Sequence, residues 1–411
     1  MARADILVVG GGVFGLWVAR RAAAAGLNVL LTEARQIGAG ASGGVLGALT
    51  AHTPDRWTEK KAFQLAALLS LPGEIAALEE ESGISAGYRR CGRIMPIRTP
   101  AFAAQVAERS AGAVAHWAAY DPSLVYEARP ADDFDLAGWL DAAAAAPEGV
   151  VWDSLAGLLS PRGYLTALRA ALERSGRVEI REGVAYLGAD GDGGARLSDG
   201  STLAVSATVL AAGFEAFDLH PALGALAAPS GGVKGRAALF HLPFDRPLHP
   251  PGRSTDLALP LLYEDGIYVA PHARSTAPIG VASVAVGSTD EKDWRSEDRP
   301  AFEAAQDVND PAHPRDMAFL ERAAALCPAL RGRKPVEIWA GVRPKARSRD
   351  PLIGPLDDAA RLWVAGGGFK IGLGVAHRVA AALIDRLTGR EDAVSAPPRF
   401  WTDGTAAARK G

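Results

Sequence analysis

The stretch that most constrains the fold is "DILVVGGGVFGLWVARRAAAAGLNVLLTEA", residues 5–34. It reads in order as a short apolar strand, a glycine turn, an alanine-rich helix, a stop at Gly26 and a second apolar strand ending at Glu33. Gly10, Gly12 and Gly15 fit G-x-G-x-x-G, and each spacing has a mechanical reason. The first glycine makes the tight turn, the second lets a pyrophosphate touch the backbone, and the third lets the helix pack against the strand. The helix N-terminus then offers free N–H groups and the positive end of its dipole to the phosphates. Glu33 stands about 20 residues on, where a carboxylate can accept from an adenosine ribose. In a chain with 46 glycines such a spacing alone says little. With strand, turn, helix, second strand and terminal acid all in order, it predicts a Rossmann-like dinucleotide site, FAD or NAD left open.

Residues 38–52, "GAGASGGVLGALTAH", contain G-x-S-x-G from Gly40 to Gly44. A nucleophile elbow needs a strand directly before the serine and a helix directly after. A polar loop leaving Glu33 precedes Ser42 instead, so the reading is a second glycine loop along a large planar cofactor. The 44 basic and 47 acidic residues give a net charge of -3 and no electrostatic reason to expect nucleic acid or an anionic membrane as partner. The two cysteines, Cys91 and Cys327, form no CxxC, which argues against a disulfide framework, a dithiol redox centre or a zinc site. The apolar N-terminal run passes straight into a glycine turn, so no separate signal peptide is read there. No apolar run approaches the roughly 18 residues of a membrane span, and a cytoplasmic location is expected.

Near the C-terminus, "RLWVAGGGFKIGLGVAHRVAAALIDRL" reads as a strand at 362–365, a glycine loop, and a helix starting near Gly372 with an apolar face through Val375, Val379 and Leu383. Glycine has the most conformational freedom to lose, so such a loop implies something that approaches the backbone closely. Lys370 sits in its middle. It follows Phe369 rather than glycine and no Ser or Thr comes next, so it is not a Walker lysine. A solvated loop lysine and a ligand-binding lysine both remain.

Together with ordered segments downstream, these motifs resemble the FAD-dependent amine and amino-acid oxidoreductases of the D-amino acid oxidase, glycine oxidase and sarcosine oxidase group. The segments are "SPRGYLTALRAAL" (160–172), "ATVLAAGFEAF" (207–217), "VKGRAALF" (233–240), "GIYVAPHA" (266–273), "WAGVRPKARSRDPLIGP" (339–355) and the C-terminal stretch above. The resemblance implies an α/β fold, a Rossmann-like FAD domain at 1–87, 153–220 and 335–411 interleaved with a smaller α+β substrate domain at 88–152 and 221–334. The latter would be built on an antiparallel sheet, in keeping with the short β-branched runs there. The proline-rich segment 241–260 should be an irregular excursion, either a roof over the site or an idle surface loop.

For the site, the resemblance implies cofactor contacts at Gly10, Gly12, Val13, Phe14, Gly15, Glu33, Ala34, Ser42, Gly43, Val184, Ala212, Gly213, Gly341, Gly367, Gly368, Phe369, Lys370, Ile371 and Gly372. The catalytic set it implies is Arg343, Lys370 and Tyr268. Arg343 matches a carboxylate-anchoring arginine, and guanidinium grips a carboxylate through two parallel hydrogen bonds; a structural ion pair with Asp350 is the competing reading. Tyr268 matches a tyrosine assisting that carboxylate, or is a core aromatic. Lys370 in "GFK" matches a carboxylate-binding lysine of the sarcosine oxidase branch. That branch attaches FAD through a cysteine in the region of 343–355 and carries an oxygen-activating lysine where this chain has Ala285. FAD is therefore expected to be non-covalent, and oxidase and dehydrogenase both stay open. The implied partners are a small carboxylate-bearing amine and oxygen or an electron carrier, with no nucleic acid, no integral membrane association and no metal. His52, His116 and His272 are read as structural or surface residues. A disulfide reductase, an aromatic hydroxylase and an RNA-modifying flavoenzyme lack their motifs here, and a non-catalytic flavin-binding sensor is the remaining alternative.

Overall fold

The computed structural model describes residues 4–403 apart from 146–147, 191–193, 244–258, 273–280, 292–313, 358, 360 and 391–393. Most of the proline-rich 241–260 segment thus lies outside the described residues. The chain builds two large sheets. The first has six strands in the order Leu352–Pro355, Leu362–Gly366, Ala207–Leu210, Ile6–Val9, Val29–Glu33, Val178–Glu182, all parallel except the first. Its central strands, Ile6–Val9 and Ala207–Leu210, are buried on both faces because both faces are covered. Ile6 and Val8 join the core beneath the helices, whereas Leu7 and Val9 join a second cluster with Tyr186, Phe217 and Leu223. The two-residue period of a strand sends neighbours to opposite sides.

Four helices, Val13–Ala24, Glu59–Ser82, Pro161–Arg174 and Gly372–Leu387, pack on one another over the first face. The last starts at Gly372 as its sequence predicts, and Val375, Val379 and Leu383 are fully buried. Each such side chain contributes on the order of 1.5–3 kcal/mol by leaving water. Trp17 is buried among them and its Nε1–H donates to the Tyr164 hydroxyl at 2.6 Å, which satisfies the one polar atom it brings inside. The helix Glu59–Ser82 has the length and apolar composition to cross a membrane. Here Phe63, Leu68, Leu71 and Leu78 enter the core while Glu74 and Glu81 pair with Arg21 and Arg20 of the first helix.

The second sheet has eight strands, in the order Glu337–Ala346, Ala227–Pro243, Val281–Glu291, Ile267–Pro271, Leu261–Glu264, Arg93–Pro96, Val150–Asp153, Tyr126–Arg129. It is antiparallel save for the pair Leu261–Glu264 with Arg93–Pro96. Strand pairing puts Glu337–Ala346 in this sheet, beside Ala227–Pro243. The chain therefore returns to the six-stranded sheet after 346, where the expected domain division stood at 335. That strand carries Trp339, Gly341 and Arg343 and brings them to the gap between the sheets.

Candidate active site

One cavity of about 770 Å³ runs between the two sheets and is lined from both. At one end its wall is backbone and small side chains: Gly10, Gly12, Ala34, Ser42, Ala212 and Gly213, with Glu33 and Val184 beside them. Gly10 has φ +113°, and a Cβ there would lie 2.6 Å from the Ala211 carbonyl, so only glycine makes this turn. Gly15 is not on the cavity wall. A Cβ on it would lie 1.9 Å from the Gly10 carbonyl, which is the close helix–strand packing asked of a third glycine. The Glu33 carboxylate accepts from Gly11 N–H at 2.7 Å and Arg35 N–H at 3.0 Å, so it is held at the tip of its strand. Ser42 Oγ accepts from Val13 N–H at 3.1 Å in the first turn of the helix. A hydroxyl so placed on a 3-10 turn with no strand before it is no nucleophile elbow.

The glycine loop closes the middle of the cavity. Gly368, Phe369, Lys370, Ile371 and Gly372 line it; Gly367 does not, and serves as a turn with φ +69° against the Asp350 carbonyl. Gly43 is likewise off the wall, packed on the Gly38 carbonyl. Phe14 lines the cavity, and a Cβ on Gly368 would lie 2.6 Å from its ring. Phe369 adopts φ 44°, an uncommon state for a non-glycine residue. Gly341 is bare for the indole of Trp339, which a Cβ would meet at 2.3 Å.

At the far end the wall becomes side chains. Arg343, Tyr268 and Lys370, the three residues expected to act on substrate, are among the residues lining this cavity. Arg343 lies across Gly235 of the neighbouring strand, where a Cβ would lie 1.9 Å from its Nη2. Asp350, the competing partner, is fully buried between Lys60 at 3.0 Å and Arg399 at 2.7 Å. Lys370 is exposed at the rim, its Nζ 5.7 Å from the centre of the Phe369 ring. Tyr268 is half-buried and its ring packs, tilted by 50°, against that of Tyr263 at 4.5 Å, its direct partner across the strand pair.

Several lining residues were not singled out from the sequence. Arg93, Gln105, Arg109 and Arg236 reach the wall from three separate elements, and no local motif marks them. His52 lines the cavity too, and burial, with Lys60 and Lys61 beside it, brings its pKa down to about 4, so it is neutral at pH 7. His116 stacks on Trp57 at 4.4 Å, and buried His272 bonds the Val45 carbonyl at 2.8 Å; neither is on the wall.

The family model of FAD dependent oxidoreductases, DAO, matches residues 5–386. The chain belongs to this family. A glycine oxidase of Pseudomonas aeruginosa is 26% identical over 408 residues, covering 96% of this chain and 97% of the relative. The crystal structure of glycine oxidase from Geobacillus kaustophilus superposes with a TM-score of 0.74 at 21% identity, covering 95% of this chain and 96% of that one. An iminodiacetate oxidase from Chelativorans gives a TM-score of 0.70 at 17% identity, covering 96% and 98%. This member of the family is accordingly an FAD-dependent enzyme that oxidises the C–N bond of an amine donor. The cavity fits that cofactor: its nucleotide end is a backbone cradle that Cβ atoms would fill, opening at a helix N-terminus.

Proposed function

We propose that this enzyme oxidises a small amino acid or N-substituted amino acid, taking it from amine to imine, which water then converts to a keto acid or aldehyde acid and the released amine. FAD supplies the hydride acceptor. The single observation that supports the substrate class is that Arg343, Lys370 and Tyr268 line the same cavity as the glycine turn of the dinucleotide cradle. Arg343 holds the α-carboxylate through two hydrogen bonds and thereby fixes the direction of the α-hydrogen. Tyr268 adds a third hydrogen bond, and Lys370 closes over the carboxylate from the rim. The helix starting at Gly372 points its positive end at the cavity, where it favours negative charge developing during reaction. Orientation and field supply the catalysis, so no side chain is required as general base.

The same reading holds FAD without a covalent bond. Neither cysteine lines the cavity, and burial pushes the Cys91 thiol up to about 11, far from the thiolate that attachment requires. Ala285, where a lysine would activate oxygen, is fully buried in a strand and off the wall. The acceptor is oxygen or an electron carrier, and the speed of reoxidation on admitting air separates them. An anaerobic absorbance titration of the holoenzyme with glycine, sarcosine, proline and D-amino acids tests the proposal. Bleaching of the oxidised-flavin band is expected with at least one of them; a spectrum that no amine changes would overturn it in favour of a flavin-binding sensor.

A further inference from the structure

After the two-residue strand Ala48–Leu49 the chain enters residues 50–57, which belong to no helix or strand. Thr50, Ala51, His52 and Thr53 nonetheless form part of the cavity wall. The wall here lies beside the start of helix Gly372–Leu387: a Cβ on Gly374 would lie 3.0 Å from the Leu68 side chain and 3.7 Å from that of Leu49. A coil without a ladder must find other partners for its backbone N–H and C=O groups, because leaving them buried and unpaired costs as much as a lost hydrogen bond.

Those partners come from one face of helix Glu59–Ser82. Gln64 is 2% exposed and shares the buried positions of that helix with Leu65, Leu68 and Leu71. Its Oε1 accepts from the His52 N–H at 2.7 Å, and its Nε2 donates to the Thr50 carbonyl at 3.0 Å. A backbone N–H only donates and a carbonyl only accepts, so the two bonds fix which way the carboxamide points. One turn earlier, the Lys61 ammonium donates to the Thr53 carbonyl at 2.7 Å and to the Asp55 carbonyl. Lys60 donates to the Arg349 carbonyl at 2.5 Å and pairs with Asp350 at 3.0 Å, in the turn against which Gly367 packs. Positions 60, 61 and 64 lie on one side of a helix. A single helical face therefore holds both the coil wall and the turn behind the glycine loop. A buried carboxamide costs about 1–3 kcal/mol if its groups go unpaired, and an apolar side chain would fill the volume without that risk. Here both groups go to the backbone of the wall, so what the amide contributes is the position of the wall.

We infer that Gln64, with Lys61 beside it, is a positioning residue: it holds Thr50–Thr53 in place against the start of helix Gly372–Leu387, and so fixes the wall beside which the bound flavin meets its substrate. The substrate half of this inference rests on the proposed amino-acid oxidation, whereas the flavin half stands on FAD binding alone.

The test uses the FAD-loaded enzyme and Gln64→Met, whose side chain has similar length but neither donor nor acceptor. Visible circular dichroism of the substrate-free holoenzyme reads the surroundings of the flavin, and stopped-flow reduction by an amino acid that bleaches it reads the chemistry. Gln64→Met is expected to change the flavin dichroism and to slow limiting reduction about tenfold, with KM altered less than about twofold. Lys61→Met, which frees the same wall at Thr53, should show both changes to a smaller extent. Lys61→Arg keeps a donor for the Thr53 and Asp55 carbonyls and should restore them. A lower Tm with wild-type dichroism and reduction rate in FAD-loaded Gln64→Met would overturn the positioning role and leave amino-acid oxidation standing. Should Gln64→Met fail to fold or to load FAD, the Lys61 variants decide on the same readouts, and wild-type values in Lys61→Met would overturn the role. If no amino acid reduces the wild-type flavin, the oxidation falls instead, and the dichroism of the variants still decides whether Gln64 places the wall.

Discussion

At the nucleotide end, the cavity wall is backbone, made of Gly10, Gly12, Ala212 and Gly213 with two carboxylates set at its edge. At the substrate end it is long side chains, five of them cationic, borne on strands, one helix and the C-terminal glycine loop, far apart in sequence. The two ends bind by different physics. A backbone cradle works by what is missing, since any Cβ would occupy the cofactor's space or push helix from strand. A side-chain site works by what is present and where it is held, so it fails by displacement as readily as by deletion.

The largest effect is expected where the helix is pushed off the strand with which it forms the cradle. Gly15→Val would drive a side chain into the Gly10 carbonyl, 1.9 Å from the Cβ position, at a cost of about 3 kcal/mol from overpacking. Loss of the flavin absorbance after gel filtration, with a lower Tm, is the expected readout; full FAD content would contradict the packing role. At the other end, Arg343→Ala removes the proposed anchor but touches no part of the cradle. It should lower kcat/KM by roughly 100-fold, mainly through KM, with FAD still bound. Unchanged KM would remove Arg343 from substrate binding.

Displacement without deletion is the sharper probe of the contrast. Gly235→Ala keeps Arg343 but puts a methyl where its Nη2 now lies, and the guanidinium must swing aside. Roughly a tenfold loss in kcat/KM is expected, with Tm and FAD content near wild type. A variant that behaves as wild type would show that the position of Arg343 across Gly235 does not matter.

The smallest effect near neutral pH comes from the buried histidines. His52 and His272 have pKa values of about 4 and His377 of about 3, all lowered chiefly by burial. Each lies below the 6.5 of the unfolded chain, so on acidification the unfolded state takes up the protons first. Stability is therefore full above about 6.5 and falls as pH drops toward 4. Each histidine costs a fraction of a kcal/mol between pH 7 and 6 and about 1.4 kcal/mol per unit lower down. Tm measured from pH 7.5 to 4.5 should fall progressively, with a shallower slope in His52→Gln; a flat profile would contradict their neutral burial.

The same contrast explains what could be read from the sequence. The cradle was legible because its requirements are local: Gly10, Gly12 and Gly15 sit within six residues, and the strand and helix that use them are contiguous. The C-terminal loop and helix were legible for the same reason. Arg343, Tyr268 and Lys370 are proposed only through resemblance, since nothing in their local spacing marks them as lining one cavity. Arg93 and Arg109 were missed because their place on the wall depends on strand pairing across 168 residues, from Arg93 to Leu261, and on how helix Pro100–His116 leans on the loop at Pro54. Glu337–Ala346, which follows the expected division near 335, is assigned to the eight-stranded sheet only by its register with Ala227–Pro243, a long-range pairing that no local pattern announces.

The central claim is that the substrate end reads a carboxylate. It is tested most directly by titrating the anaerobic holoenzyme with an amino acid that bleaches its flavin and with the same amine lacking the carboxylate, D-alanine against ethylamine or sarcosine against dimethylamine. The account predicts that the amino acid reduces the flavin with saturating dependence while the bare amine at equal concentration does not. Equal reduction by both would show that Arg343, Lys370 and Tyr268 do not select the substrate.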